Sequence, residues 1–176
     1  MEVAGDENNL SVRLARLSDA ESIRAIYNPE VTGSTITFDM VERTLAEQQA
    51  WIIDHSGVYP AIVVTSNDTG RAEQDVLAFG SLNPYRNRPA YSTTVENSVY
   101  VRSDCRGQGL GRIVVTELIR LASSHGFHSV IARVVGGHEA SIGLHRSCGF
   151  ELVGLEREVG RKFRQWLDVA VLQRML

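Results

Sequence analysis

Thr94-Val95-Glu96-Asn97-Ser98-Val99-Tyr100-Val101 leads through Arg106-Gly107-Gln108-Gly109-Leu110-Gly111 into a run that continues to Ser124. β-branched and aromatic residues fill the first segment, a composition that suits a pleated, half-buried surface and predicts a strand. In the last segment Leu110, Ile113, Val114, Leu118, Leu121 and Ala122 recur at helical spacing and form one apolar stripe. Gly126 stands where a left-handed C-terminal cap is expected. Glycines between a strand and a helix let backbone N–H groups approach an anion closely. The first helical turn adds unpaired donors and the positive end of its dipole. The pattern therefore predicts a phosphate cradle. It is not a P-loop, because Gly111-Arg112-Ile113 replaces the required Gly-Lys-Ser/Thr, and Arg112 breaks the dinucleotide fingerprint.

The 176 residues suffice for one domain with a sizeable core, expected over 10–176 after a polar, disordered stretch at 1–9. A composition of 43% hydrophobic and 22% charged residues is that of a globular protein, and a net charge of −3 gives no field favouring nucleic acid or anionic membrane. The apolar runs fall short of a membrane span, and Met1 to Glu7 carries no apolar signal core. Cys105 and Cys148 are too few for a disulfide framework and fit reduced thiols, so a cytoplasmic location is expected.

Along the chain, Val12 and Leu14 alternate with polar residues as a first strand. Ser18-Asp19-Ala20-Glu21 reads as a capping box for a helix through Ile23, Ile26 and Tyr27, ended soon after by Pro29. Residues 28–38 read as a loop facing something apolar, and Asp39 with Glu42 repeats the capping signature for a second helix towards Ile53. Strands follow at Ala61–Val64 and Val76–Leu82, separated by a polar turn over 67–74. After the central helix come a buried strand at Val130–Val135, a short helix from Ser141 to Cys148, a strand at Phe150–Leu155 and a last one at Trp166–Gln173. The order β-α-α-β-β-β-α-β-α-β-β predicts a mixed sheet flanked by helices, not a doubly wound array.

Arg106-x-x-Gly109-x-Gly111 resembles the acetyl-coenzyme A pyrophosphate loop of GNAT N-acetyltransferases. Four further stretches resemble the phosphinothricin and methionine sulfone acetyltransferase-like subgroup. They are Tyr27-Asn28 with Ser34-Thr35 and Phe38; the strand Thr94 to Val101; Ser141-Ile142-Gly143-Leu144-His145 with Cys148-Gly149-Phe150; and the tail residues Gly160, Lys162, Trp166, Asp168, Val169 and Gln173. The resemblance runs from about Val12 onward. It implies the GNAT acyl-CoA N-acyltransferase fold, an α/β protein whose central mixed, mostly antiparallel sheet is flanked by helices. It also implies acetyl-CoA as cosubstrate, no metal and a homodimer. Two departures stand out: the subgroup carries asparagine where His138 stands and commonly glycine where Arg164 stands.

The implied reaction moves the acetyl group of acetyl-CoA by direct attack of the α-amine of a small amino acid or analogue: phosphinothricin, methionine sulfone or methionine sulfoximine. Such a transfer needs a deprotonated amine, a polarised thioester and their juxtaposition. Glu96, a charge in mid-strand, is costly there unless paired or used, and is the implied general base; a salt bridge to an arginine is the alternative. His145 is implied as acid to the leaving thiolate or as a cofactor contact, and a structural role is equally open. Cofactor contacts are implied at Val99, Tyr100, Val101, Arg106, Gly107, Gln108, Gly109, Leu110, Gly111, Arg112, His138, Ser141 and Ser147. For the acceptor, Arg86 and Arg88 offer forks for a carboxylate, and Tyr27, Phe38 and Thr94 are candidate pocket residues; an ordinary solvated loop at 84–89 is the alternative. The competing functions are a peptide or protein N-acetyltransferase and a non-catalytic acetyl-CoA sensor.

Overall fold

The computed structural model describes residues 10–66 and 75–176, so the expectations for 1–9 and 67–74 fall outside the described residues. Seven strands form one sheet in the order β1-β2-β3-β4-β5-β7-β6. The strands are β1 (Leu10–Leu14), β2 (Ala61–Ser66), β3 (Val76–Pro84), β4 (Thr94–Val101), β5 (Ser129–Val135), β6 (Glu151–Lys162) and β7 (Gln165–Met175). Every neighbouring pair is antiparallel except β4 and β5, which are parallel. The mixed sheet and the order of its elements are those read from the sequence.

Helices cover the sheet because its inner strands β2, β3 and β5 are buried on both faces. On one side lies α3 (Leu110–Ser124), whose Leu110, Val114, Val115, Leu118 and Ala122 are buried against Ile62, Ala78, Val95 and Val130. A side chain at Gly80 would meet Val114 Cγ1 at 2.4 Å, so glycine lets α3 lie flush on β3. On the other side α1 (Ala20–Gly33) and α2 (Leu45–Asp54) bury Ile23, Ile26, Tyr27, Val31 and Ile52 against Val63 and Phe79. The short α4 (Glu139–Ser147) packs beside the N-terminal turn of α3.

Three boundaries differ from the sequence reading. Pro29 does not end α1, which runs on to Gly33. The Asn28 side chain is clamped to Arg43, donating to its carbonyl at 2.9 Å and accepting from its N–H at 3.1 Å, while Ser34 Oγ donates to Glu30 O at 3.1 Å. Tertiary anchoring overrides the lost proline donor. The capping boxes also lie elsewhere. Asp19 takes the Arg16 N–H at 2.7 Å and both ends of the Arg13 guanidinium, and the box of α2 is Thr44 with Glu47. Asp39 instead accepts from the Tyr27 hydroxyl at 2.5 Å. Finally, β6 extends to Lys162, bulging at Gly154 and around Glu158 to stay paired with β7. At its far end the buried Lys162 ammonium donates to Thr37 O at 2.8 Å and joins the hairpin to the loop before α2.

Candidate active site

The site begins where β4 and β5 part. Their pairing covers only Thr94–Asn97 against Ser129–Ala132, so the backbone from Ser98 to Val101 has no β5 partner. Two adjoining clefts open there, of about 240 Å³ and about 340 Å³. Val99, Tyr100, His138 and Ser141 border both, so the clefts meet at the splayed strand.

The larger cleft is built by the glycine turn and the start of α3. Gly107 and Gly109 sit at φ 77° and 82°, the left-handed region that favours glycine, and a side chain at either would project into open space. No backbone bond engages the N–H groups of Gly107, Gln108, Gly109, Leu110 or Gly111 among the described residues. Free amides at a helix N-terminus suit a diphosphate. Val101, Arg106, Gly107, Gly109, Leu110, Gly111 and Arg112 line this cleft. The Arg106 side chain itself is paired with Glu30 on α1.

The smaller cleft holds Glu96, Phe38 and His145. Burial raises the Glu96 pKa; Arg133 opposes the shift and Glu156 adds to it. Glu96 has no ion pair among the described residues, so the salt-bridge alternative finds no partner. His145 is buried, and burial lowers its pKa although the Ser141 carbonyl pulls it up. Its Nδ1 lies 2.8 Å from Ser141 O, an acceptor only, so Nδ1 carries the proton. Nε2 then accepts from Asn97 Nδ2 at 3.0 Å. Both ring nitrogens of the neutral imidazole are spoken for, and Asn97 Oδ1 is left buried without a partner.

The remaining sequence candidates lie outside both clefts. Gln108 reaches back to Asp104 O at 3.5 Å, Ser147 Oγ caps Leu144 O at 2.7 Å and Thr94 Oγ1 meets Ser129 Oγ at 3.2 Å. Tyr27 is buried beneath Tyr100, ring centroids 5.1 Å apart. Arg86 stacks on Tyr85 and Tyr91 at 5.0 and 5.6 Å, and Arg88 begins the turn that follows it. Conversely, Ile36, Asn97 and Arg133 line the site and were not singled out in the sequence. Arg133 is a charge in mid-strand just as Glu96 is, and that signal was available.

A split parallel pair beside a glycine turn and a half-buried carboxylate defines a class. Residues 12–171 match the acetyltransferase (GNAT) domain family, and this chain belongs to it. It is accordingly an acetyl-CoA-dependent N-acetyltransferase. It is 39% identical over 163 residues to the L-methionine sulfoximine/L-methionine sulfone acetyltransferase of Pseudomonas aeruginosa, covering 93% of this chain and 92% of that one. It is 35% identical to the phosphinothricin N-acetyltransferase of Streptomyces coelicolor, over 95% and 96% of the two chains. Among solved structures, the Sinorhizobium meliloti phosphinothricin acetyltransferase in complex with acetyl-CoA superposes with a TM-score of 0.87 at 34% identity, covering 96% of this chain and 89% of that one. yncA from Salmonella typhimurium, solved with its cofactor acetyl-CoA, gives 0.89 at 31%, over 96% and 95%.

Proposed function

We propose that this enzyme acetylates the α-amine of a small amino acid or analogue of the methionine sulfone, methionine sulfoximine and phosphinothricin type, with Glu96 as general base. The observation that carries the reading is a partly desolvated glutamate with raised pKa, in a cleft that meets an anion cradle along the open edge of β4. A carboxylate so tuned takes a proton from an ammonium more readily than an exposed one, directly or through water. The diphosphate would rest on the amides of 107–111, the pantetheine along 98–101, with His138 and Ser141 at the junction. His145 serves this reading as a positioning residue, since its two nitrogens already bond Asn97 and Ser141. The substrates of the relatives named above support the acceptor class. A homodimer is supported by the apolar residues Leu152, Val153, Leu155, Val159, Phe163 and Trp166, each about half exposed on the β6–β7 hairpin. Two free buried thiols fit a cytoplasmic setting.

The test is thiol release from acetyl-CoA across a panel of amino acids, sulfones, sulfoximines, phosphinothricin and peptides. Glu96→Gln is expected to lower kcat on the order of 10²- to 10⁴-fold while acetyl-CoA affinity stays within about twofold. Turnover equal to the parent's would remove Glu96 from the mechanism. Activity confined to peptides would replace the acceptor class.

A further inference from the structure

We propose that Arg133 is the residue that selects the acceptor by its carboxylate, offering the free donors of its guanidinium to the group whose neighbouring amine faces Glu96. This rests on the function proposed above and names the specificity contact of the same site.

Arg133 sits in the middle of β5 between Ala132 and Val134, which are buried on the α3 side, so its own side chain emerges on the opposite face. Glu96 pairs with Ile131 in the parallel register, and Arg133 lies two residues farther along that strand on the same face. That is one strand over and roughly 6.6 Å along the sheet, and both residues line the same cleft. A cation in mid-strand is retained only where it is paired or used.

It is paired, but only in part. One Nη2 bond goes to Glu156 on β6. Nε and Nη1 have no hydrogen bond among the described residues, although a guanidinium carries five N–H donors in a rigid fork. The Glu156 bond fixes the plane of the group, and a braced fork with free donors binds a carboxylate bidentately at low ordering cost. Arg86 and Arg88, the forks favoured by the sequence, line neither cleft.

Charges alternate across the sheet: Glu96 negative and Arg133 positive in the cleft, with Glu156 negative beside it. A zwitterionic amino acid is the complement of the first two, amine against Glu96 and carboxylate against Arg133. A peptide N-terminus presents an amide carbonyl in that place, a single neutral acceptor that cannot fill the fork. The contact therefore favours free amino acids over chains.

The experiment measures kcat/KM for methionine sulfone and for its methyl ester in the parent, Arg133→Met and Arg133→Lys. Esterification also acidifies the amine, so the readout is the change in the acid-to-ester ratio between proteins. Arg133→Met is expected to lower that ratio on the order of 10- to 100-fold, mostly through KM for the acid, with acetyl-CoA affinity within about twofold of the parent's. Arg133→Lys keeps the charge without the fork and is expected to lower the ratio by roughly fivefold or more. A ratio unchanged in Arg133→Met that still binds acetyl-CoA overturns the assignment. Should that variant fail to bind the cosubstrate, an unchanged ratio in Arg133→Lys overturns it instead. A parent that acetylates no amine at all removes the proposed function, and this contact with it.

Discussion

Burial raises the Glu96 carboxyl above the ordinary glutamate range, against the pull of Arg133 and with Glu156 adding to the rise. The active base is the ionised form, so kcat/KM should fall on the acid side around a pKa above the ordinary value of about 4.3. The same shift has a stability sign. A folded-state pKa raised above the unfolded one means stability declines as pH climbs from the unfolded value through the folded one. Glu96→Gln abolishes that decline, so its melting temperature should exceed the parent's near about pH 8 and approach it near about pH 4. His145 makes the opposite case. In His145→Phe both polar ends of buried Asn97 lose or lack partners, with an expected loss of about 1 to 3 kcal/mol in denaturant unfolding. Its basic kinetic limb should match the parent's; disappearance of that limb would make His145 the acid. Glu96 was legible because a lone charge in mid-strand asks for a reason. Arg133 gave the same signal, but its meaning depended on Glu156 and on a register the chain does not display locally.

Elements with strong periodicity were read well, and their ends were not. Of the α3 stripe, Leu110, Val114, Leu118 and Ala122 are buried, Ile113 and Leu121 are half-buried at its edges, and Val115 joins the buried face. Pro29 misled because the clamp between Asn28 and Arg43 spans 15 residues, beyond any local pattern. The β6–β7 connection carries a legible anomaly. Lys162 pairs with Gln165, leaving the two-residue turn Phe163-Arg164 at φ 49° and 64°. Turns of this kind favour glycine or asparagine, and the subgroup pattern has glycine where Arg164 stands. Arg164→Gly should therefore stabilise the protein by about 0.5 to 1 kcal/mol, read as a higher denaturation midpoint at unchanged slope. A lower midpoint would show that the arginine makes a contact worth more than its strain.

Across the whole molecule, the order of strands and helices was sufficient to recognise the fold, because each segment's periodicity and turn residues agree with it. The clefts were less legible. They arise where β5 leaves β4 after Ala132, a geometry set by packing on both faces and by no residue alone. The apolar hairpin was likewise unremarkable as sequence, its residues alternating with charges, yet it leaves Leu155, Val159 and Trp166 about half exposed. Sedimentation of the purified protein should give twice the chain mass of 19.4 kDa, and Val159→Glu with Trp166→Glu should return it to one. A parent that sediments as a single chain would leave that face without a second copy.

The gap between the middle strands also has a dynamic consequence. From Ser98 onward β4 keeps β3 on one flank and, among the described residues, no paired strand on the other. In the proposed binding mode an extended pantetheine would lie there as an eighth strand supplied by the reactant. On that reading the amides of this seam should exchange hydrogen fastest between turnovers and slow when the cosubstrate is bound.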